Sequence, residues 1–295
     1  MENERYHYNE ATGQLIIRDG VTEINDEEFK DWDNLKHVVF SDSVTKIGAS
    51  SFQGCKRLRE IYLPDSVTSI GGAAFYDCRS LEEIRWSEGL TFIGEYAFAS
   101  CESLEGVYLP DSVTSIGYCA FTYCKSLEGV YLPDSVTKIG ASAFKGCQNL
   151  REIYLSDSVT SIGYCAFYGC TGLKEIKIPD GVISIGDWAF TNCTGLTEIK
   201  IPDSVTSIGN YAFSNCTGLT KIKIPEGLTS IDYRAFADCV NLKEIKIPEG
   251  LTSIGEGAFQ DCETLKKIVY HKKTETLLRA CFGDKWNGLI KTILE

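Results

Sequence analysis

With 295 residues, 43% of them hydrophobic and 24% charged, and no low-complexity tract, the chain has the composition of a folded protein of one or two domains. A formal net charge of -12 leaves Lys and Arg too scarce for clustered phosphate contacts, so nucleic acid is not expected as a partner and a neutral or basic one fits better. No apolar run is long enough to cross a membrane as a helix, so no membrane span is expected.

In chain order, Met1 to Tyr8 shows no basic stretch followed by an apolar core, and thirteen cysteines suit a reducing compartment. A cytoplasmic location is therefore the expectation, with the cell surface or secretion as the alternative. Residues 5–18 read as a hairpin turning at Glu10-Ala11-Thr12-Gly13, within an N-terminal cap over 1–24. From there the chain repeats. Phe29, Phe52, Phe75, Phe98, Phe121, Phe144, Phe167, Phe190, Phe213, Phe236 and Phe259 are each 23 residues apart. Three residues after each Phe stands a Cys, from Cys55 to Cys262, with Trp32 in that place in the first coil. Three residues further stands a Leu in every coil, from Leu35 to Leu265. Within one unit, Leu173, Ile176 and Ile178 alternate with Glu175 and Lys177 as a half-buried strand. Pro179-Asp180-Gly181 makes a turn, Val182 and Ile185 return to the core, and Gly186 allows a tight corner. Ala189, Phe190 and Cys193 then suggest one helical turn with Phe and Cys pointing inward.

A unit of this size cannot bury its apolar side alone, so the coils must stack. The expected fold is an α/β repeat solenoid: a right-handed leucine-rich-repeat superhelix of eleven coils, each with a short parallel strand and a short helical turn. The array covers 25–269, and a C-terminal cap covers 270–295. In that cap, 274–282 reads as a helix with Thr274 as N-cap, and Trp286, Leu289, Ile290 and Ile293 supply apolar groups to seal the last coil. No linker separates the caps from the array, so one domain is counted over 1–295.

The pattern LxxIxLPxxVTxIGxxAFxxC resembles the BspA-like (Treponema pallidum-type) leucine-rich repeat, common in host-associated anaerobic bacteria and some protists. The resemblance covers 25–269. Its departures are Ser41, Ser87 and Ser156 for Pro, Asn25 and Asp232 for Gly, and Ile183 for Thr. It implies a binding role, often adhesion or host interaction.

Catalysis finds little support. The histidines are His7, His37 and His271, near the two ends, and no glycine loop cradles a phosphate. A metal-dependent or thiol enzyme is the least favoured alternative. The cysteine ladder places one thiol per coil, whereas zinc needs four ligands converging on a point, so small buried thiols are the expectation and no metal or cofactor is assigned. Cys119 and Cys165 lie off the ladder beside the turn and are expected to be the more reactive thiols. An acidic column from Asp19 to Glu249 follows the Pro position; turn chemistry accounts for it, and one carboxylate per coil falls short of a calcium shell.

The outward strand column reads Tyr62, Arg85, Tyr108, Tyr131 and Tyr154, then Lys177, Lys200, Lys223 and Lys246. Two residues earlier, Gly106 and Gly129 interrupt a column of mostly Glu, which would leave a shallow trough beside Tyr108 and Tyr131. Tyrosine is a good strand former, and it is also a contact residue that loses little entropy on ordering. The expected function is a non-enzymatic scaffold binding a protein or glycan through Tyr62, Arg85, Gly106, Tyr108, Gly129, Tyr131 and Tyr154. A surface adhesin exported by an unrecognised route is the alternative.

Overall fold

The computed structural model describes residues 3–294. The chain winds into a stack of 23-residue coils, each giving its neighbours two parallel, in-register strand segments. The three-residue segment is the one expected from the Ile alternation, such as Glu198–Lys200 with Ile199 buried. The second, such as Ser207–Ile208, follows the Pro turn and was not expected as a strand. Its Ile points into the core, and its Ser, Lys or Glu, or Phe at Phe92, faces outward. The turn between the two closes with Val205 N–H donating to the Pro202 carbonyl at 3.1 Å. Where Ser replaces Pro the same bond forms, for example from Val44 to the Ser41 carbonyl at 3.0 Å.

The expected helical turn takes another form. Trp188, Phe190 and Asn192 donate their N–H groups to the carbonyls of Asn210, Ala212 and Ser214 in the next coil. The alternate residues Ala189, Thr191 and Cys193 donate three residues back, to Gly186, Trp188 and Phe190. A helix would send every donor back along its own chain, so this alternation excludes one. It requires left-handed backbone at Trp188 and Asn192, both at φ 61. Such residues cost roughly 1–2 kcal/mol each. The ladder to the next coil, together with burial of the Phe between them, offsets that.

Phenylalanines form the spine. From Phe29 onward each ring stacks on the next at centroid distances such as 5.2 Å (Phe52 to Phe75) and 5.8 Å (Phe144 to Phe167). The column has a twelfth member: Phe282, 23 residues after Phe259, stacks on it at 5.6 Å from the end of the helix Glu275–Phe282. The C-terminal cap is thus a remodelled twelfth coil. Its helix does not use Thr274 as a side-chain cap; that hydroxyl donates back to the His271 carbonyl at 2.8 Å. Trp286 is buried and Leu289 packs partly on the core, but Ile290 and Ile293 are exposed, so the seal expected from these four is made by the first two. At the other end the hairpin forms as expected, Tyr6–Asn9 against Gln14–Ile17. Tyr6 and Trp32 set their edges on Phe29 at 5.1 and 5.0 Å.

The long-strand ladder is interrupted twice, between Glu83–Arg85 and Gly106–Tyr108, and again after Glu152–Tyr154. The first break falls beside Trp86, in a column that elsewhere holds Phe, Leu, Ile or Tyr. Its indole leans over two coils, reaching Phe98 at 5.2 Å and Phe121 at 6.4 Å, and needs more width than one coil spacing allows. The short-strand ladder breaks elsewhere, between Ser115–Ile116 and Lys138–Ile139, so no two coils lose both ladders.

Candidate binding surface

The column that carries the outward side chains is exposed because strand residues alternate and the intervening Ile or Val fills the core. Tyr62, Arg85, Tyr108, Tyr131 and Tyr154 all lie on this face. Tyr131 and Tyr154 stack at 4.9 Å with planes 8° apart. Tyr108 does not join them. Its ring lies over Gly106, where a Cβ would meet the ring Cε2 at 2.6 Å, and its hydroxyl reaches Gly129. The two glycines therefore make a bed for Tyr108 rather than an open trough, and the ring is 68% exposed. The central aromatic pair is Tyr131–Tyr154, not Tyr108–Tyr131. Tyr62 is held by its own coil, donating to Glu60 Oε2 at 2.8 Å, and Arg85 forms no ion pair among the described residues.

The first break opens a groove of about 760 Å³ next to Tyr108. Glu60, Glu82, Glu83, Glu105 and Glu128 line it, with Arg59 and His37 at its rim. His37 Nδ1 lies 3.1 Å from Glu60, and Arg151 lies 3.9 Å from Glu128. Glu82, Glu83 and Glu105 have no ion pair among the described residues, so the groove carries a net negative field. The lysine half of the column differs. Lys177 pairs with Asp157 at 3.4 Å, and Lys246 with Glu226 at 2.7 Å, so part of the acidic turn column is neutralised from there. Other turn carboxylates serve the backbone, as Asp65 accepts the Glu88 N–H at 3.3 Å. Among the described residues no three His, Cys, Asp or Glu side chains converge as a metal site.

The ladder thiols are structural. Every one from Cys55 to Cys262 donates to a Phe carbonyl of an adjoining coil, for instance Cys193 Sγ to Phe167 at 3.1 Å. Burial pushes Cys55, Cys124, Cys170 and Cys216 up to about 12, which removes the thiolate that metal binding or nucleophilic attack requires. The expectation for Cys119 and Cys165 is corrected: both are buried, flanked by Tyr96 and Tyr164, and burial also raises the Cys165 thiol. The more open thiol is Cys281, on the cap helix. Under a maleimide in native buffer Cys281 should label first and the ladder only on unfolding. Mass mapping that found ladder cysteines modified at the same rate would contradict this packing.

A second aromatic surface escaped the sequence reading. Along the turn edge, Tyr168, Trp188, Tyr211 and Tyr233 form a continuous row, with Trp188 and Tyr211 stacked at 4.1 Å. Asn192 and Asn215 run beside it, hydrogen-bonded to each other at 2.7 Å and on to Tyr168. The signal was available at the positions flanking each Phe, but no residue type repeats there in every coil.

Stacked 23-residue coils with an inner Leu, Ile and Phe core and an exposed strand face define a leucine-rich-repeat solenoid. The chain belongs to the BspA type leucine-rich repeat family, whose six-copy region matches residues 2–128, 114–200 and 160–287. It is similar to a leucine-rich repeat protein of Bacteroides ovatus, with 31% identity and a TM-score of 0.56 over 96% of this chain and 84% of that one. A leucine rich cell surface protein of Faecalibacterium prausnitzii matches at 27% identity and a TM-score of 0.53, covering 100% and 94%. The T. pallidum leucine-rich repeat protein matches at 33% identity and a TM-score of 0.50, covering 57% of this chain and 86% of that one. No curated protein matches the chain. The family points to a protein-binding scaffold, no catalytic family is matched, and no helix among the described residues is long and apolar enough to cross a membrane.

Proposed function

We propose that the chain is a non-enzymatic scaffold that holds a protein partner on its strand face, between Tyr62 and Tyr154. The observation that carries this reading is the exposed Tyr131–Tyr154 stack with Tyr108 laid open beside a groove in which Glu82, Glu83 and Glu105 form no ion pair among the described residues. Rigid aromatic side chains dominate interface energetics, and the acidic groove favours a segment bearing Lys or Arg. A protein suits this surface better than a glycan. Stacking covers one face of Tyr131 and one of Tyr154, which reduces the open ring area available to a sugar.

Affinity capture from the native host identifies the partner, and titration of variants tests the site. Tyr131→Ala with Tyr154→Ala should leave the fold intact and weaken binding by about 2 kcal/mol or more, while Lys200→Ala with Lys223→Ala should change it little. Decisive lysines with silent tyrosines would place the contact on the other half. A second reading, an adhesin displayed on a cell surface, is supported by the Faecalibacterium relative, which is described as a cell surface protein. Fractionation of the native host separates it from a cytoplasmic scaffold.

A further inference from the structure

The residues just before and just after each ladder cysteine lie along the turn edge rather than on the strand face. From the coil of Cys55 to that of Cys124 at least one of the two is charged, ending with Glu102 and Lys125. Charge returns at Asp238 and persists to Glu263. Between these limits the coils of Cys147, Cys170, Cys193 and Cys216 carry Gly, Asn, Gln and Thr there, with no ionic side chain. Two charges beside this stretch are already engaged. Lys145 lies 5.2 Å from the Tyr168 ring centroid, and Asp187 accepts the backbone and side-chain N–H groups of Asn210 at 2.8 and 3.1 Å.

Tyr123 stands at one end of the uncharged stretch. Its ring lies on Gly146, where a Cβ would meet the ring Cε1 at 2.7 Å, and it is 44% exposed. One face is thus bedded on backbone and the other is open. At the other end stands a preset amide pair. Asn215 donates to Asn192 Oδ1 at 2.7 Å, and Asn192 donates to the Tyr168 hydroxyl at 3.0 Å. That hydroxyl keeps its own proton to give, each amide keeps a second N–H, and Asn215 keeps its carbonyl oxygen. Groups already held in place lose little entropy when a ligand arrives.

We propose that this stretch of the turn edge binds a neutral, straight-chain glycan of equatorially linked pyranose units. Sugar hydroxyls both give and accept hydrogen bonds, as the amides and Tyr168 require, and the C–H face of a pyranose packs on an open ring such as Tyr123. An ionic ligand would find no counter-charge between Gly146 and Thr217 at these positions. The coils repeat every ~4.8 Å, close to the length of one such unit, so a glycan lying along the stack keeps in step with it. Tyr123 and Asn215 are 92 residues apart, or four coil steps, which is roughly 19 Å. A chain of about four or five units therefore reaches from the ring to the amides. This site does not depend on what the strand face holds.

Isothermal titration of the full chain with the β-linked hexasaccharides cellohexaose, mannohexaose and xylohexaose tests this, with hexagalacturonic acid as the charged control. At least one neutral hexasaccharide should bind, and the acidic one should not. Tyr123→Gly should weaken binding about tenfold or more, and so should Asn192→Gly with Asn215→Gly. All three positions have positive φ, and Gly146 and Gly169 already occupy the same column, so the circular dichroism spectrum should not change. Tyr131→Ala with Tyr154→Ala should leave glycan binding as it is, whatever that pair does to a protein partner. The proposal is overturned if none of the three neutral hexasaccharides binds or if the acidic one binds as well as they do. It is equally overturned if binding survives the turn-edge substitutions or is lost with the strand-face pair.

Discussion

Replacing Phe144 by Ala should lower stability by ~3–5 kcal/mol. Its ring is fully buried between Phe121 at 5.7 Å and Phe167 at 5.8 Å. Those neighbours are fixed by ladders on both sides, so the cavity cannot collapse, and the loss falls at the top of the range for such truncations. Phe282→Ala should cost clearly less, because that ring keeps some exposure and has a stacked Phe on one side alone. Phe29 belongs with Phe144, since Tyr6, Trp32 and Phe52 enclose it completely. Urea melts of the three variants decide the order, and equal losses at Phe144 and Phe282 would contradict a spine supported from both sides.

A larger effect is expected from deletions that respect or violate the period. Removing residues 181–203, one whole repeat, joins Asp180 to Ser204 and leaves every column in register. The product should fold cooperatively, one coil shorter and somewhat less stable, because each coil contacts only its neighbours. Removing 181–192 excises about half a coil. The remainder cannot complete a circuit, so the Phe and Ile columns on either side of the cut no longer meet. Native circular dichroism and a single sharp transition should survive the first deletion and be lost in the second. A cooperative melt of the half-coil deletion at near wild-type stability would show that the stacking register does not carry the fold.

Much of this architecture is visible in the sequence because the core columns are chemically uniform. Phe, Leu and Cys recur at fixed offsets, and only an inward position explains that uniformity. Three features were hidden for identifiable reasons. The Phe and Cys spacing of three mimics a helix, and Trp188 does not announce left-handed backbone, although the Asn192 column, rich in Gly, Asn and Asp, does. Phe282 continues the column after the strand Lys267–His271, but a helix replaces the Pro turn and second strand that mark the other coils, so the cap conceals a twelfth rung. Cys119 and Cys165 occupy positions that are half-exposed in most other coils, and their burial depends on how neighbouring tyrosines fold over them.

The candidate surface was legible as a column of tyrosines but not as an arrangement. That Tyr131 would pair with Tyr154 while Tyr108 lies down on Gly106 depends on side-chain rotation and on the break beside Trp86. Both are set by packing across several coils, beyond the reach of a single repeat. The acidic groove was hidden for the same reason, since its glutamates come from four different coils and meet where the ladder parts.

The alternating donors of the turn edge also set how the molecule answers force. Every inter-coil bond there, and in both strand ladders, lies along the stack, so tension applied at the two ends loads few bonds at a time and peels coils off one after another. Each released coil frees 23 residues, or about 70–80 Å of contour. Stretched between two anchors, the protein should therefore yield as a graded series of small steps rather than a single rupture, lengthening while the remaining coils keep their grip.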